Sequence, residues 1–377
     1  MDKEERMAKQ VLITGGAGFI GSHLADELLA AGYAVRVLDN LCEQVHGPSR
    51  ARPEYLDPEV ELVVGDVRDQ KMVRKALCGV DAVFHFAAMV GVGQSMYQVR
   101  DYVDVNETGT AALLQQIIQN PVERIVVASS MSIYGEGLYL DSDGRLVEDA
   151  CRDAGALKNG RWECCDSTGR PLVPMPTPET KRPALASIYA LGKYAQERMC
   201  LMVGAGYGMD AVGLRFFNVY GTRQALSNPY TGVMAIFASR LLNGNPPAIF
   251  EDGRQRRDFV HVADVARACR LALETPQAAG KVFNIGSGES YSIRELAGNL
   301  ATVLGSTMEP RITGTCRVGD IRHCYADTSL ARSVLGFRPQ VGISDGLAEL
   351  AEWLAKQQAV DKFDDMAKEL AGRGLTI

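Results

Sequence analysis

Apolar residues in the first third of the chain come in short unbroken runs instead of alternating with polar ones. The runs Gln10–Thr14, Ala34–Asp39, 60–65, 82–86 and 124–129 carry Val and Ile in the manner of strands covered on both faces. Longer segments with helical spacing separate them, among them 22–31 and 70–77. This alternation is the pattern of βαβ units, so the spacing predicts an α/β fold with a doubly wound parallel sheet. Further on, 187–204 reads as a helix and 211–216 as another buried strand.

Residues 137–187 break the pattern. They are rich in Gly, Pro, Asp and Arg without a clear period, and read as a long loop or insertion of the kind that covers or flanks a site. Segments 218–257 and 285–345 mix short apolar runs with Gly, Pro and Arg, which suits a smaller domain closing over a ligand. From about residue 346 an amphipathic helix and a polar tail are expected. The expected division is a first domain of 10–217 plus 258–284, interrupted by the insertion, a smaller discontinuous C-terminal domain of 218–257 plus 285–350, and a helix or tail at 351–377.

Composition narrows the function. With 377 residues, 46% hydrophobic and 23% charged, the chain can bury a large core and is not a disordered polymer. Lys and Arg total 40 against 46 Asp and Glu, a net charge of -6, which is the wrong balance for tracking nucleic-acid phosphates. An anionic substrate must then be held by a few local Arg and Lys residues. The start MDKEERMAKQ is charged and lacks the apolar core of a secretory signal, so a cytoplasmic address is expected. No run approaches the roughly 18 apolar residues of a membrane span. Nine scattered cysteines do not form a disulfide framework, and Cys151, Cys164 and Cys165 in the insertion lack the paired spacing of a zinc ribbon, so no metal is expected.

The sharpest local signal is VLITGGAGFIGSHL at 11–24. Gly16, Gly18 and Gly21 satisfy GxGxxG, and Gly15, Gly18 and Gly21 satisfy GxxGxxG. Glycines there permit a tight turn, close approach to a pyrophosphate and close strand-to-helix packing, while the helix start offers free N–H groups to the anion. A strand precedes the motif, a helix follows, and Asp39 closes the next strand about 20 residues on. A carboxylate in that place accepts from both ribose hydroxyls and repels a 2′-phosphate, which favours NAD over NADP. Asp66 closes the third strand, where it can accept from an adenine amino group while Val67 packs the ring. Phe86, Ala87 and Ala88 close the fourth, where a cofactor can lie close to the backbone.

The second signal is Tyr189 and Lys193 in SIYALGKYAQE, which their i, i+4 spacing puts on one helical face. A phenol with a pKa near 10 is a poor base at neutral pH. An adjacent ammonium and a positive nicotinamide ring move that pKa toward working pH. In VVASSMSIYG at 126–135, Ser129 and Ser130 follow a buried strand and sit where a hydroxyl can bridge the phenol and a substrate oxygen.

With TGGAGFIGSHL, the DN at 39 and 40, GD at 65 and 66, HFAA at 85–88, Asn106, SSMSIYG, YALGK, LRFFNVYG at 214–221 and RRDFVHVADVA at 256–266 in order, the chain resembles the extended short-chain dehydrogenase/reductase family. The similarity lies in its nucleotide-sugar epimerase and dehydratase branch and spans roughly 10–345. It implies a Rossmann-type fold with Ser130, Tyr189 and Lys193 as the catalytic set. Phe19, Ile20, Asn40, Asn106, Ser129 and Phe216 would join the cofactor site. Ser132 would lie beside the sugar, Phe217 and Asn218 would line the sugar and nucleotide site, and 228–237 would contact the nucleotide. Phe250 would pack the base, and Arg257 and Arg322 would neutralise the diphosphate. The resemblance also implies a homodimer through a four-helix bundle built from 101–119 and 187–203.

The branch holds several reactions. Its 4,6-dehydratases carry an Asp-Glu pair after the catalytic hydroxyl residue, and its 3,5-epimerases a Cys at the first of those places. Here Met131 and Ser132 stand there, neither suited to acid/base work. A 4-epimerase, which oxidises C4 transiently and returns the hydride to the other face, needs neither. Segments 87–98 and 223–244, with the insertion, are most similar to 4-epimerases of dTDP-L-rhamnose. UDP-glucose or UDP-glucuronate 4-epimerases, or a net NAD(P)-dependent nucleotide-sugar oxidoreductase, are the alternatives.

Overall fold

The apolar runs become parallel strands because they have no polar face to give to water. In the computed structural model, which describes residues 8–230 and 232–377, the six runs and a further strand not read from the sequence, Val282–Ile285, form one sheet. The first residues of the segment read for a leader, 1–7, lie outside the described residues, as does Thr231 within 228–237. The strands are β1 (Gln10–Thr14), β2 (Ala34–Asp39), β3 (Glu61–Val64), β4 (Ala82–His85), β5 (Arg124–Ser130), β6 (Asp210–Phe216) and β7 (Val282–Ile285). Their order is β7-β6-β5-β4-β1-β2-β3, and every ladder is parallel. Strand order reverses between β1 and β4, and the crevice beyond their carboxyl ends is where such sheets take ligands.

Helices cover both faces of this sheet. Val11 and Ile13 of β1 face α1 (Phe19–Ala30) and α4 (Val262–Glu274), whereas Leu12 between them faces α2 (Gly109–Gln119) and α3 (Ile188–Tyr207). Strand β5 divides the same way, with Val126 and Ala128 on one side and Ile125 and Val127 on the other. α1 starts at Phe19, three residues before the apolar spacing predicts, because the helix winds directly out of the glycine turn. A further core of Tyr220, Met234, Phe237, Leu296, Leu300, Leu347 and Leu350 is built from residues that follow β6 in the chain.

Two regions differ from their sequence reading. The insertion is not a bare loop: Leu138–Leu140, Leu146–Val147 and Val173–Met175 form a three-stranded antiparallel sheet over Tyr139, Cys164 and Leu172. Strands of two or three residues are too short to leave a period in the sequence. The tail is not a polar appendage either. Helix Phe363–Gly372 buries Phe363, Met366 and Leu370, at i, i+3 and i+7, against Ala248, Tyr97, Tyr230 and Phe250. The chain end then pairs with the segment 316–318, Cys316 and Ile377 exchanging both backbone hydrogen bonds. Among the described residues, no helix is long and apolar enough to cross a membrane.

Leu370 is 0% exposed. Leu370→Ala is expected to lower unfolding free energy by about 2–5 kcal/mol in chemical denaturation. A loss below about 0.5 kcal/mol, the usual range for surface substitutions, would show that the tail does not dock.

Candidate active site

At the end of β1 the chain turns through Gly15 at φ +72°, where a Cβ would lie 2.8 Å from the backbone nitrogen of Ala87. Glycine is required there because the ends of β1 and β4 nearly touch. Gly21 is equally constrained, since a Cβ would come within 2.5 Å of Gly16 Cα. Gly18 precedes α1 with no side-chain cap, so the first-turn N–H groups of Phe19 and Ile20 are left to an anion at the cleft. Asp39 sits at the lip, its carboxylate accepting from Ala17 N at 3.0 Å and Leu41 N at 2.9 Å. Asp66 is gripped by both arms of Arg68, each at 2.9 Å, and by Asn40 Nδ2 at 3.0 Å. Arg68 holds that carboxyl down at about 2. A turn that excludes a Cβ, free N–H groups for a pyrophosphate and a fixed carboxylate for a ribose together fit NAD.

The cleft has a volume of about 840 Å³ and runs from this cradle to Phe250 and Arg257. Tyr189, half-buried on the first turn of α3, lines its middle. Ser187 caps that helix by accepting from Ala190 N at 3.1 Å. Burial pushes the Tyr189 phenol above its ordinary 10.0, and the hydrogen bond with Ser130 acts in the opposite direction. Ser130 is steadied by Ser132, whose hydroxyl lies 2.9 Å away. Lys193 is buried one turn on. Its ammonium donates to Gln196 Oε1 at 2.8 Å, and burial lowers its pKa to about 8. Gln196 Nε2 donates in turn to Thr110 Oγ1 at 2.9 Å and lies 3.1 Å from His85 Nε2. Thr14 closes the chain at 2.8 Å from His85 Nδ1, on a ring that burial keeps neutral. In the protein alone, then, Lys193 is directed at Gln196 and does not draw the phenol down as the i, i+4 spacing predicts.

All the sequence-assigned site residues line this cleft except Asn106 and Arg322. Asn106 stands behind the wall, accepting from Met89 N at 2.7 Å and donating to Met89 O at 3.1 Å, so it shapes the loop after β4 without facing a cofactor. Ser129 lines the cleft, but its hydroxyl turns away to Glu197 at 2.6 Å, which leaves Ser130 alone to meet the phenol. Arg322 is 0% exposed and bonded to Glu163, Glu251 and Asp252, so it faces no diphosphate. The basic residue beside Arg257 in the cleft wall is Arg317, which sequence reasoning missed. Its guanidinium lies over the Phe250 ring, 4.8 Å from the centroid, and its Nε donates to Asp320 at 2.9 Å. The available signal was RVGD at 317–320, where Gly319 at φ +84° turns the chain at the cleft edge. The insertion 137–187 contributes no lining residue. Among the described residues, no group of three His, Cys, Asp or Glu side chains is placed to hold a metal ion.

A parallel sheet with a glycine cradle at its switch point and a Ser, Tyr and Lys set beside it defines a dinucleotide-dependent enzyme. The chain belongs to the NAD-dependent epimerase/dehydratase family, which it matches over residues 11–152 and 167–286, and NAD is its cofactor. A dTDP-L-rhamnose 4-epimerase from Burkholderia thailandensis is 35% identical over 353 residues, 93% of this chain and 96% of that one. Among solved structures, UDP-glucose 4-epimerase from Thermotoga maritima with UDP-glucose is 31% identical with a TM-score of 0.75, covering 92% of this chain and 99% of that one. UDP-glucuronic acid 4-epimerase from Bacillus cereus, in complex with UDP-glucuronic acid and NAD, is 27% identical with a TM-score of 0.75 over the same shares, 92% and 99%.

The depressed Lys193 pKa has a consequence in the cofactor-free protein. Between about pH 8 and 10.5 the folded state binds fewer protons at this amine than the unfolded chain does, so stability rises with pH across that window. Lys193→Met is expected to be more stable than wild type near pH 7. Guanidinium titrations should show the gap narrowing by on the order of 3 kcal/mol as pH approaches 10. A gap independent of pH would place the amine in water.

Proposed function

We propose that the protein is a nucleotide-sugar 4-epimerase, with dTDP-L-rhamnose, giving dTDP-6-deoxy-L-talose, as the favoured substrate. The observation that carries the reading is the Tyr189 and Ser130 pair set midway along a cleft whose two ends differ in chemistry. One end is the glycine cradle; the other combines Phe250, a face for a base, with guanidinium charge for a diphosphate from Arg317 and from Arg257, whose Nη1 and Nη2 already donate to the backbone carbonyls of Arg256, Ile321 and Arg322. Asn218 and Gln255 add buried side-chain oxygens without a protein partner in the same wall. After Ser130 stand Met131 and Ser132, so the acid/base pair that elimination of water requires is missing. Met89, Val90, Val92 and Met131 add apolar surface to the cleft lining, which suits a 6-deoxy sugar better than a uronic acid.

Bound NAD supplies the hydride acceptor and donor, and the positive ring that draws the Tyr189 phenol toward working pH. Tyr189 takes the C4 hydroxyl proton onto its phenolate oxygen while Ser130 hydrogen-bonds the reacting oxygen. Lys193, one turn beyond Tyr189 on the same helix, makes the phenolate less costly when its ammonium turns from Gln196 toward it. Arg257 and Arg317 hold the diphosphate while the sugar turns about it to present its other face, and Tyr189 returns the proton. No net redox change results. In this reading 10–217 with 258–284 holds the cofactor, 218–257 with 285–350 holds the nucleotide sugar, and the tail braces the latter. Exposed Leu191 (43%) and Met202 (58%) on α3 support a homodimer through the 101–119 and 187–203 helices.

The test is incubation of the purified protein with dTDP-L-rhamnose, UDP-glucose and UDP-glucuronate separately, with the C4 epimer followed by NMR and nicotinamide absorbance recorded alongside. Turnover of the first with steady absorbance is expected. Turnover of a UDP sugar alone would move the substrate to that class, and accumulating reduced cofactor would replace epimerase by oxidoreductase. Tyr189→Phe should cut kcat by about 10²–10⁴ with the cofactor retained, and an unchanged kcat would remove Tyr189 from the mechanism.

A further inference from the structure

The insertion lines none of the cleft, yet it carries Arg152 to the back of the wall that does. Arg152 is 6% exposed, and its guanidinium reaches three acceptors that are far apart in the chain. It meets Glu136 Oε1 at 3.1 Å, Glu251 Oε1 at 2.5 Å and the carbonyl oxygen of Asp320. Two of these adjoin cleft residues directly. Glu251 follows Phe250 in sequence, and the Asp320 carboxylate holds Arg317. Arg317 then covers the Phe250 ring. One side chain from the insertion therefore touches both supports of the wall formed by Phe250 and Arg317.

The backbone shows why such support is needed. Glu251 adopts φ +57°, a left-handed conformation that residues with a Cβ rarely take. Strained conformers persist only where their surroundings over-determine them. Glu251 is fully buried between Arg152 and Arg322 Nη1, the latter at 2.8 Å, and its N–H donates to Thr315 O at 2.8 Å. Without Arg152 the carboxylate keeps one guanidinium of two, and the turn that presents Phe250 to the cleft is released on one side. Arg152 is the last residue of the matched family segment 11–152, and the unmatched segment 153–166 follows it directly. Glu163, within that segment, grips Arg322 and His323 from the same side.

We infer that Arg152 is a positioning residue for the nucleotide-diphosphate subsite: it holds Phe250 and Arg317 in place without touching substrate. The inference rests on the reading above, in which a nucleotide sugar binds at that wall.

Wild type, Arg152→Lys, Arg152→Met, Arg317→Ala and the double variant Arg152→Lys/Arg317→Ala are compared as purified holoenzymes. The measurements are KM and kcat for the nucleotide sugar, Kd for dTDP and UDP by calorimetry, NAD retained through purification, and Tm. Arg152→Lys keeps the charge but not the forked donor. It should raise KM and nucleotide Kd about fivefold, and Arg152→Met about thirtyfold, with kcat within about twofold and NAD content unchanged. The double variant should bind within about twofold of Arg317→Ala alone, because both changes disable one wall. Should Arg152→Met not fold, Arg152→Lys and the cycle decide. Unchanged KM and Kd in Arg152→Lys, additive effects in the double variant, or kcat and NAD content falling in step with KM would each overturn the inference. A wild-type protein that binds neither dTDP nor UDP and turns over no nucleotide sugar would instead overturn the functional reading, and this inference with it.

Discussion

The chemistry depends on how one helix is seated across the sheet. Helix α3 carries Tyr189 and Lys193, and strand β5 carries Ser130, so the proposed catalytic groups meet only if α3 lies on β5 and β6 in a single register. Glu197, one turn beyond Lys193, provides the lock. It takes Arg215 of β6 in a two-pronged pair at 2.8 and 2.9 Å and the Ser129 hydroxyl of β5 at 2.6 Å, all buried. Arg215 Nη1 continues to Tyr134 at 2.9 Å, and Tyr134 to Asn284 of β7 at 2.6 Å. A buried ion pair contributes little net stability once desolvation is counted, and a packed apolar substitute is often as stable. Apolar packing tolerates sliding, however, whereas a bidentate pair has one geometry. The pair is better explained by positioning than by stability, since a slip of one residue would carry the phenol away from Ser130.

The same logic governs the opposite side of the cleft. Gly15 lets β1 and β4 approach until a Cβ no longer fits, and the buried chain Thr14, His85, Gln196, Lys193 links that junction to the amine on α3. The glycine cradle and the start of α3 are thus connected through hydrogen bonds, on a ring held neutral by burial.

This explains which parts were legible in the sequence. The strands, the glycine turn and the Tyr189 and Lys193 pair are local features, readable from a period of 2 along a strand or 3.6 around a helix, and Asp39 and Ser130 could be singled out because each ends an apolar strand. Arg322 and Arg317 show the limit. They stand five residues apart in RVGDIR, and either has the chemistry for a diphosphate. Only the turn at Gly319 and the strand His323–Cys324 decide that one faces the cleft and the other an acid cluster. That cluster gathers Glu163, Glu251 and Asp252 from distant segments, a convergence no local pattern announces. Asn106 misleads for a related reason: its motif position is right, but its amide is consumed by the backbone of Met89.

The distribution of irregular structure has a physical cause as well. Hydride and proton transfer need a few groups held to a fraction of an ångström, which the sheet and α3 supply through buried networks. Recognition of a particular nucleotide and sugar needs a wall that can be rebuilt without moving those groups. Here that wall stands on segments outside the repeating pattern: the turn at Glu251, the loop at 317–321, the three-stranded insertion behind them and the docked C-terminal helix beneath Phe250. None of these carries Ser130, Tyr189 or Lys193, so under the proposed mechanism they can change without moving those three groups. Family members of 27–35% identity, each named for a different sugar nucleotide, fit such a partition. The cost is that the substrate wall depends on buried charges such as Arg152 and Arg322, whose partners must all be present together for the wall to stand.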